Sequence, residues 1–317
     1  PRTFEELTGI DFIGEEEARA KGKLVGKLES DRIEGGWIFV DERGKVQIRI
    51  PILVEAILNE REIRTVFGNR SEEIYLYEEG IWKKTGKAFV KTEIERKLGE
   101  HCSNYYVTEA LEKIKRITEI PAEEFEEVPE HLLCFTNGTF DIKEWVFEPG
   151  WRPEYHFKRK IPIEYDPIAA CPTIEEFFET SLYPDDIPVI EEWFGFCLYR
   201  RYFIKKAIIL FGPKDTGKSV MLNLLTEFLN EKNTAGLSLQ RIGSGDKFGL
   251  SSLKEMYANI FDDLTSEDMV AGGFKMATGG AYITAEYKFG DPFKFKTFAK
   301  LIFAGNKIPA TKDIDVD

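Results

Sequence analysis

"KKAIILFGPKDTGKSVMLNLLTEFLNE", residues 205–231, is the stretch on which the reading of this chain turns. Residues 212–219 fit G-x-x-x-x-G-K-[ST], the pattern of a glycine-rich loop whose backbone N–H groups cradle phosphates. The flanks decide whether the match has meaning. Before it, 206–211 is a short continuous apolar run, as in a buried parallel strand. After it, Met221, Leu224, Leu225 and Phe228 recur at helical spacing. The loop therefore joins a strand end to a helix start, where unpaired N–H groups and the positive end of the helix dipole face an anion. The expected nucleotide contacts are Gly212, Pro213, Lys214, Asp215, Thr216, Gly217, Lys218, Ser219 and Val220. Gly212 permits the tight turn, and Gly217 lets backbone approach phosphate without a Cβ in the way. Lys218 reaches the β- and γ-phosphates, and Ser219 sets its hydroxyl on Mg²⁺. ATP with Mg²⁺ is the expected ligand; the motif alone names no reaction.

Further along, "YANIFDDLTSED" (257–268) runs from an apolar strand into Asp262-Asp263. At a strand end beside a phosphate loop, Asp262 is suited to the Mg²⁺ shell and Asp263 to orienting or deprotonating the attacking water. A third apolar strand, "KLIFAGN" (300–306), ends in Asn306, an uncharged polar group able to bond the γ-phosphate or the water. Between these sites lies "YITAEYKFGDPFKFKTFAKL" (282–301), two alternating strands about Gly290-Asp291-Pro292. Lys288, Lys294 and Lys296 interleave there with Phe289, Phe293 and Phe295. Ammonium on phosphate and ring on base is the composition of a single-strand DNA-binding element. A hairpin with its Phe face on the core and its Lys face in water fits the same composition, which leaves both readings open.

The rest of the chain supplies context. Its 317 residues exceed the usual span of one core, so two domains are expected: an α+β domain over 1–165, and an α/β core over 166–317. With net charge −13, any nucleic-acid contact has to come from a local basic patch. Charged residues make up 31%, rich in Glu and Lys, which leans toward a heat-adapted source. The four cysteines and three histidines are scattered, which argues against zinc and for reduced cytosolic thiols. No apolar run approaches the ~20 residues of a membrane span, and no signal peptide is visible. A chain that starts at Pro1 and stops mid-pattern at Asp317 reads as a fragment. A polar helix is expected over 15–27. Hairpins are expected within 35–50 and 74–84, and helices over 92–101 and 107–118. The acidic run "EIPAEEFEEVPEH" (119–131) reads as a solvated loop, and "CFTNGTFDI" (134–142) as strand, turn, strand. Residues 173–201 read as helical, interrupted at Pro184 and Pro188. The prolines of "EYDPIAACP" (164–172) mark the domain boundary.

The ordered series "GPKDTGKS", "NIFDDL", "FKMATGGAYITAEYKF" and "AKLIFAGNKIP" resembles the superfamily-3 helicases of the AAA+ class. Within that class it is most similar to phage, plasmid and large-DNA-virus primase-helicases. Upstream, "IYLYEEGIWKK", "CFTNGTFDI", "KIPIEYDPIAACP" and "WFGFCLYRR" resemble the domain preceding the helicase in poxvirus- and phage-type proteins. The resemblance covers roughly 70–317. It implies a five-stranded AAA+ parallel sheet with helices on both faces, and a hexameric ring that translocates on single-stranded DNA, powered by ATP at subunit interfaces. A primase would lie on the same or a neighbouring chain, and the location would be cytoplasmic, the host cytoplasm if the source is viral. By this resemblance Asp262 and Asp263 are the Walker B pair, Asn306 is the first sensor, and Lys288 and Phe289 line the ring channel. Two departures stand out. Ala281 occupies a position where the family often has Asp, and the family's arginine finger would fall beyond Asp317.

Three functions compete on this reading: a replicative helicase, an initiator or assembly module in which nucleotide only sets oligomeric state, and a protein-remodelling ATPase. The Lys/Phe hairpin argues against the third, as does the compact motif spacing, with Gly212 and Asn306 94 positions apart. The first two are not separated by sequence.

Overall fold

The computed structural model describes residues 32–34, 36–68, 72–267 and 270–309. The helix expected over 15–27 lies outside them. The chain forms two compact units. Among the described residues, one comprises those up to Glu78 with Trp82–Glu126, the other Glu79–Ile81 with those from Glu127 onward.

The first unit is α+β. Strands β1 (Arg32–Glu34), β2 (Ile38–Val40) and β3 (Val46–Ile48) form an antiparallel sheet in that order. The β2–β3 turn is pinned by the Asp41 carboxylate, which accepts from the N–H groups of Arg43 and Lys45 at 3.0 and 2.9 Å; Asp readily closes turns this way. A second sheet has the order β6-β5-β4-β7, with β4 at Ile63–Phe67, β5 at Glu72–Glu78, β6 at Ile81–Lys83 and β7 at Glu119–Pro121. Three helices pack here: α1 (Ile50–Leu58), α2 (Gly86–Leu98) and α3 (Asn104–Ile117). Their apolar stripes, including Leu53, Ile57, Val90, Ile94 and Ile114, bury one core with Ile63 and Ile74. The acidic run 119–131 is not a solvated loop. It holds β7 and a short helix, Ala122–Glu126. Ile120 and Phe125 are buried with Val66 and Trp82, so two apolar side chains anchor a run whose charges face water.

The second unit begins with a three-stranded antiparallel sheet: β8 (Leu132–Cys134), β9 (Gly138–Asp141) and β10 (Val146–Pro149). Helices α4 (Pro172–Ser181) and α5 (Ile187–Leu198) follow, with Pro188 in the first turn of α5, where its missing N–H costs nothing. Leu133, Phe135, Phe140 and Ile161 share a core with Trp193, Leu222, Leu225, Ile302 and Phe303. That is why the compact units divide at 126, ahead of the proline-marked boundary expected at 165.

The parallel sheet sets the site. Its order is β11-β16-β13-β12, with β11 at Ile208–Phe211, β12 at Thr234–Ala235, β13 at Ala258–Phe261 and β16 at Lys300–Gly305. Four strands, not five, are present among the described residues. Strand β16 arrives last in sequence yet inserts between β11 and β13 and is buried throughout. Strand β11 is left at an edge, with Ile209 37% and Phe211 59% exposed, against the buried strand its composition suggested. Asn259 on β13 is fully buried, and its amide bonds both the N–H and the carbonyl of Leu237.

Lys300, the first residue of β16, is also fully buried. Its Nζ donates to the Tyr199 carbonyl and lies 4.4 Å from the Phe196 ring centroid. Desolvation pushes its pKa down to about 7. Beside it burial pushes the Cys197 thiol up to about 12.

Candidate functional site

Three parallel strands end at the same edge of the sheet. Phe211 pairs with Gly305, and Phe261 with Phe303, so the residues that follow, Gly212, Asp262 and Asn306, emerge together. The carboxyl edge of a parallel sheet is where such folds place ligands.

Gly217 caps helix α6 (Lys218–Leu229) with φ +85°, a conformation that favours glycine. A Cβ there would sit 3.1 Å from the Phe177 ring and 3.2 Å from Ser181 Oγ. Asp215 adopts φ +60°, and Thr216 Oγ1 donates to the Pro213 carbonyl at 3.0 Å. The loop is thus folded back on itself ahead of the helix. Lys218 Nζ lies inside that curl, donating to the carbonyls of Gly212 (2.9 Å) and Pro213. Pro213, Lys214, Asp215, Thr216 and Val220 are exposed around it. A cleft of about 650 Å³ opens beside the loop. Strand β11 and the α4–α5 segment line it, through Phe177, Leu182, Tyr183 and Val189 among others. Its size is within the range of small-molecule sites.

Ser219 Oγ donates to Asp262 Oδ2 at 2.6 Å, across 43 residues of sequence. Asp262 Oδ1 accepts from the N–H of Asp263 at 2.8 Å, and Asp263 itself has φ +65°. A non-glycine residue held in the left-handed region marks a constrained site. Hydroxyl and carboxylate oxygens are the ligands Mg²⁺ prefers, and it keeps several waters beside one or two protein groups. The Ser219–Asp262 pair fits that ion. Among the described residues no cluster of three or more His, Cys, Asp or Glu side chains suited to a metal occurs. Asn306 is exposed at the end of β16.

The hairpin resolves the two readings residue by residue. Strands β14 (Tyr282–Glu286) and β15 (Pro292–Lys296) pair Ile283 with Phe295 and Thr284 with Lys294. Ile283, Ala285 and Phe295 are buried, and Phe293 is half-buried against Tyr287, ring centroids 4.7 Å apart. These side chains are packing. Lys294 and Lys296 lie on the opposite, exposed face. At the tip Phe289 is 97% exposed with φ +65°, and Lys288 Nζ stands 5.3 Å from its ring centroid. Of the three phenylalanines only Phe289 is available to a ligand.

Helix α7 (Ala271–Thr278) leads through Gly279-Gly280 into the hairpin. Arg200, Arg201 and Lys205, in the connector between α5 and β11, line a pocket with Lys296 at the hairpin base. Sequence reasoning placed no DNA contact on this connector and considered Arg200 and Arg201 only as fallback positions for an arginine finger. The only local signal was the run of basic residues at 200–206.

Comparison with known proteins divides the chain in two. Residues 29–182 match the family described as "D5 N terminal like". Residues 210–317 match a family of unknown function, DUF5906. No curated protein matches the sequence. Two apo structures of the NrS-1 C terminal region each resemble the chain with TM-score 0.52 at 15% identity, covering 84% of it. The chain in turn spans 58% and 59% of those structures. At that identity the likeness is one of fold. No helix among the described residues is long and apolar enough to cross a membrane.

Proposed function

We propose that this chain is the ATP-driven motor region of a replication protein of the primase-helicase kind, a superfamily-3 helicase that assembles as a hexameric ring on single-stranded DNA. The observation that carries the reading is the 2.6 Å bond between Ser219 and Asp262. It joins a phosphate-loop hydroxyl to a strand-end carboxylate in the arrangement that Mg²⁺-nucleotide hydrolysis requires. The D5 N terminal-like match upstream and the NrS-1-like fold support it.

On this reading the loop N–H groups and the start of α6 hold the triphosphate. Lys218 exchanges the Gly212 and Pro213 carbonyls for phosphate oxygens. Ser219 and Asp262 hold Mg²⁺, which supplies charge neutralisation on the phosphates. Asp263 orients the attacking water and accepts its proton, and Asn306 bonds the water or the terminal phosphate. Lys288, Phe289, Lys294 and Lys296 contact the strand, and a second copy completes the nucleotide site at the subunit interface. A primase domain acts on the same or a neighbouring chain.

The test is nucleotide-dependent strand displacement by the full-length protein. Wild type should hydrolyse ATP and separate a forked duplex, and Lys218→Ala should do neither. Hydrolysis without displacement would favour an initiator or assembly module. Undiminished hydrolysis by Lys218→Ala would remove the phosphate loop from the chemistry.

A further inference from the structure

The pocket at the hairpin base encloses about 370 Å³. Arg200, Arg201, Lys205 and Lys296 bring four cations to it, against one lining carboxylate, Glu130, which stands 3.9 Å from Arg201, and the half-buried Glu255 carboxylate, which faces Arg200 from the inner side. In a chain of net charge −13 that concentration runs against the average surface. The Arg200 guanidinium is laid over the Phe298 ring, 4.6 Å from its centroid, and is tied on its inner side to the buried Tyr257 hydroxyl and the Glu255 carboxylate, which fixes its position in the pocket wall. Lys296 Nζ is held 4.9 Å from the Tyr282 ring. Neither Lys205 nor Lys296 makes an ion pair among the described residues, which leaves their charge available to an anion.

The pocket continues a line of contacts. From the exposed tip at Phe289, the outer face of the hairpin presents Glu286 with Pro292, then Thr284 with Lys294, then Tyr282 with Lys296, so its cations lie toward the base. Same-face residues on a strand recur every ~6.8 Å, twice the rise per residue. That step is comparable to the phosphate repeat of an extended nucleic-acid strand. The line ends at Lys296, on the wall of the pocket.

We infer that Arg200, Arg201 and Lys205, with Lys296, form a second phosphate site, which grips the backbone of a single DNA strand where it leaves the hairpin. The inference rests on the proposed DNA-binding function. It adds a contact outside the hairpin, on the connector that leads into the phosphate-loop strand. A single strand bound there touches the segment from which β11 emerges.

The test uses the full-length protein, a fluorescent dT20 oligonucleotide and anisotropy titrations from 0.05 to 0.3 M salt. Arg201→Ala with Lys205→Ala removes two phosphate contacts at exposed positions. The salt slope on single strands is about 0.7 per phosphate, so it should fall by about 1.4, and affinity at 0.1 M should fall about 25-fold by the same relation. Arg201→Gln with Lys205→Gln is the second variant and should behave alike, with an unchanged unfolding midpoint. A folded double variant with wild-type affinity and slope would overturn the pocket, even while Lys288→Ala with Phe289→Ala weakens binding. If wild type binds no dT20, the DNA-binding reading falls, and the pocket with it.

Discussion

Phe289→Ala tests the proposed DNA-contacting tip apart from the packed hairpin. The ring is 97% exposed, so its removal uncovers no core and should change unfolding free energy by no more than about 0.5 kcal/mol. Phe295 on the same hairpin is 7% exposed; Phe295→Ala opens a cavity and should cost about 3–5 kcal/mol. On single-stranded DNA the order reverses. Losing one stacked ring costs about 1–3 kcal/mol, or roughly 5- to 140-fold in Kd at 1.4 kcal/mol per decade. Backbone geometry adds a second handle. Phe289 holds φ +65°, where a side chain costs about 1–2 kcal/mol that glycine avoids. Phe289→Gly should therefore be at least as stable as Phe289→Ala and just as weak on DNA, the signature of a residue kept for binding at the expense of stability. The assay is paired: urea unfolding, and anisotropy with dT20, on each variant. A folded Phe289→Ala protein with wild-type DNA affinity would refute the reasoning, as would one that unfolds as easily as Phe295→Ala.

Asp263→Asn should keep ATP bound and leave it uncleaved, seen as nucleotide retained on the protein with phosphate release lost. Gly217→Ala forces a Cβ to φ +85° and to 3.1 Å from Phe177; it should weaken ATP binding at least tenfold and lower stability by about 1–2 kcal/mol, measured by nucleotide titration and melting. Lys300→Met should make the protein about 2 kcal/mol more stable at pH 6, the residue of a shift worth about 1.4 kcal/mol per unit after the lost bond to Tyr199 is deducted. The folded pKa of Lys300, about 7, lies below that of the unfolded chain. Below pH 7 both states carry the charge, and its burial costs most. From pH 7 towards 10 only the unfolded state keeps the proton, so wild type gains on the variant, and urea midpoints that keep a constant difference from pH 6 to 10 would contradict the assignment.

Much of the site was legible because its signals are local. Gly217-Lys218-Ser219 sits in eight contiguous residues, and Asp262-Asp263 ends an apolar run. What the sequence hid depends on which distant strands become neighbours. Strand β11 lies at the edge because its one neighbour in the sheet order is β16, which arrives some ninety residues later, and no local pattern records that. Alternation marks Phe293 and Phe295 as one face of β15, but it is silent on Phe289, which lies in the turn; only the pairing of Glu286 with Pro292 puts it at the tip. In the acidic connector, composition outweighed two apolar residues, Ile120 and Phe125, whose partners Val66 and Trp82 lie on other strands. The basic pocket combines both difficulties. Arg200 and Lys296 are 96 positions apart, and each looks alone like an ordinary surface cation.

The Ser219–Asp262 bond shows why strand order matters more to this site than either motif does. A phosphate loop followed by a strand-end aspartate can arise with the two strands far apart in a sheet, and then hydroxyl and carboxylate never share an ion. Here β16 separates β11 from β13 by a single strand position. Their ends stay in register through Phe211↔Gly305 and Phe261↔Phe303, and the two oxygens meet across the end of β16 at 2.6 Å. The same strand carries Asn306 out between them and begins at Lys300, buried beside the connector that bears Arg200. Lys300 is thus held at one end of the strand whose other end leads into Asn306, the residue proposed to bond the nucleotide. A change in how tightly the Tyr199–Lys300 contact holds the foot of β16 should therefore shift hydrolysis before it shifts nucleotide affinity. In Lys300→Met the ATP Kd should stay within a factor of about two, while the hydrolysis rate should move by more than that; the reverse order would mean that β16 is a passive spacer.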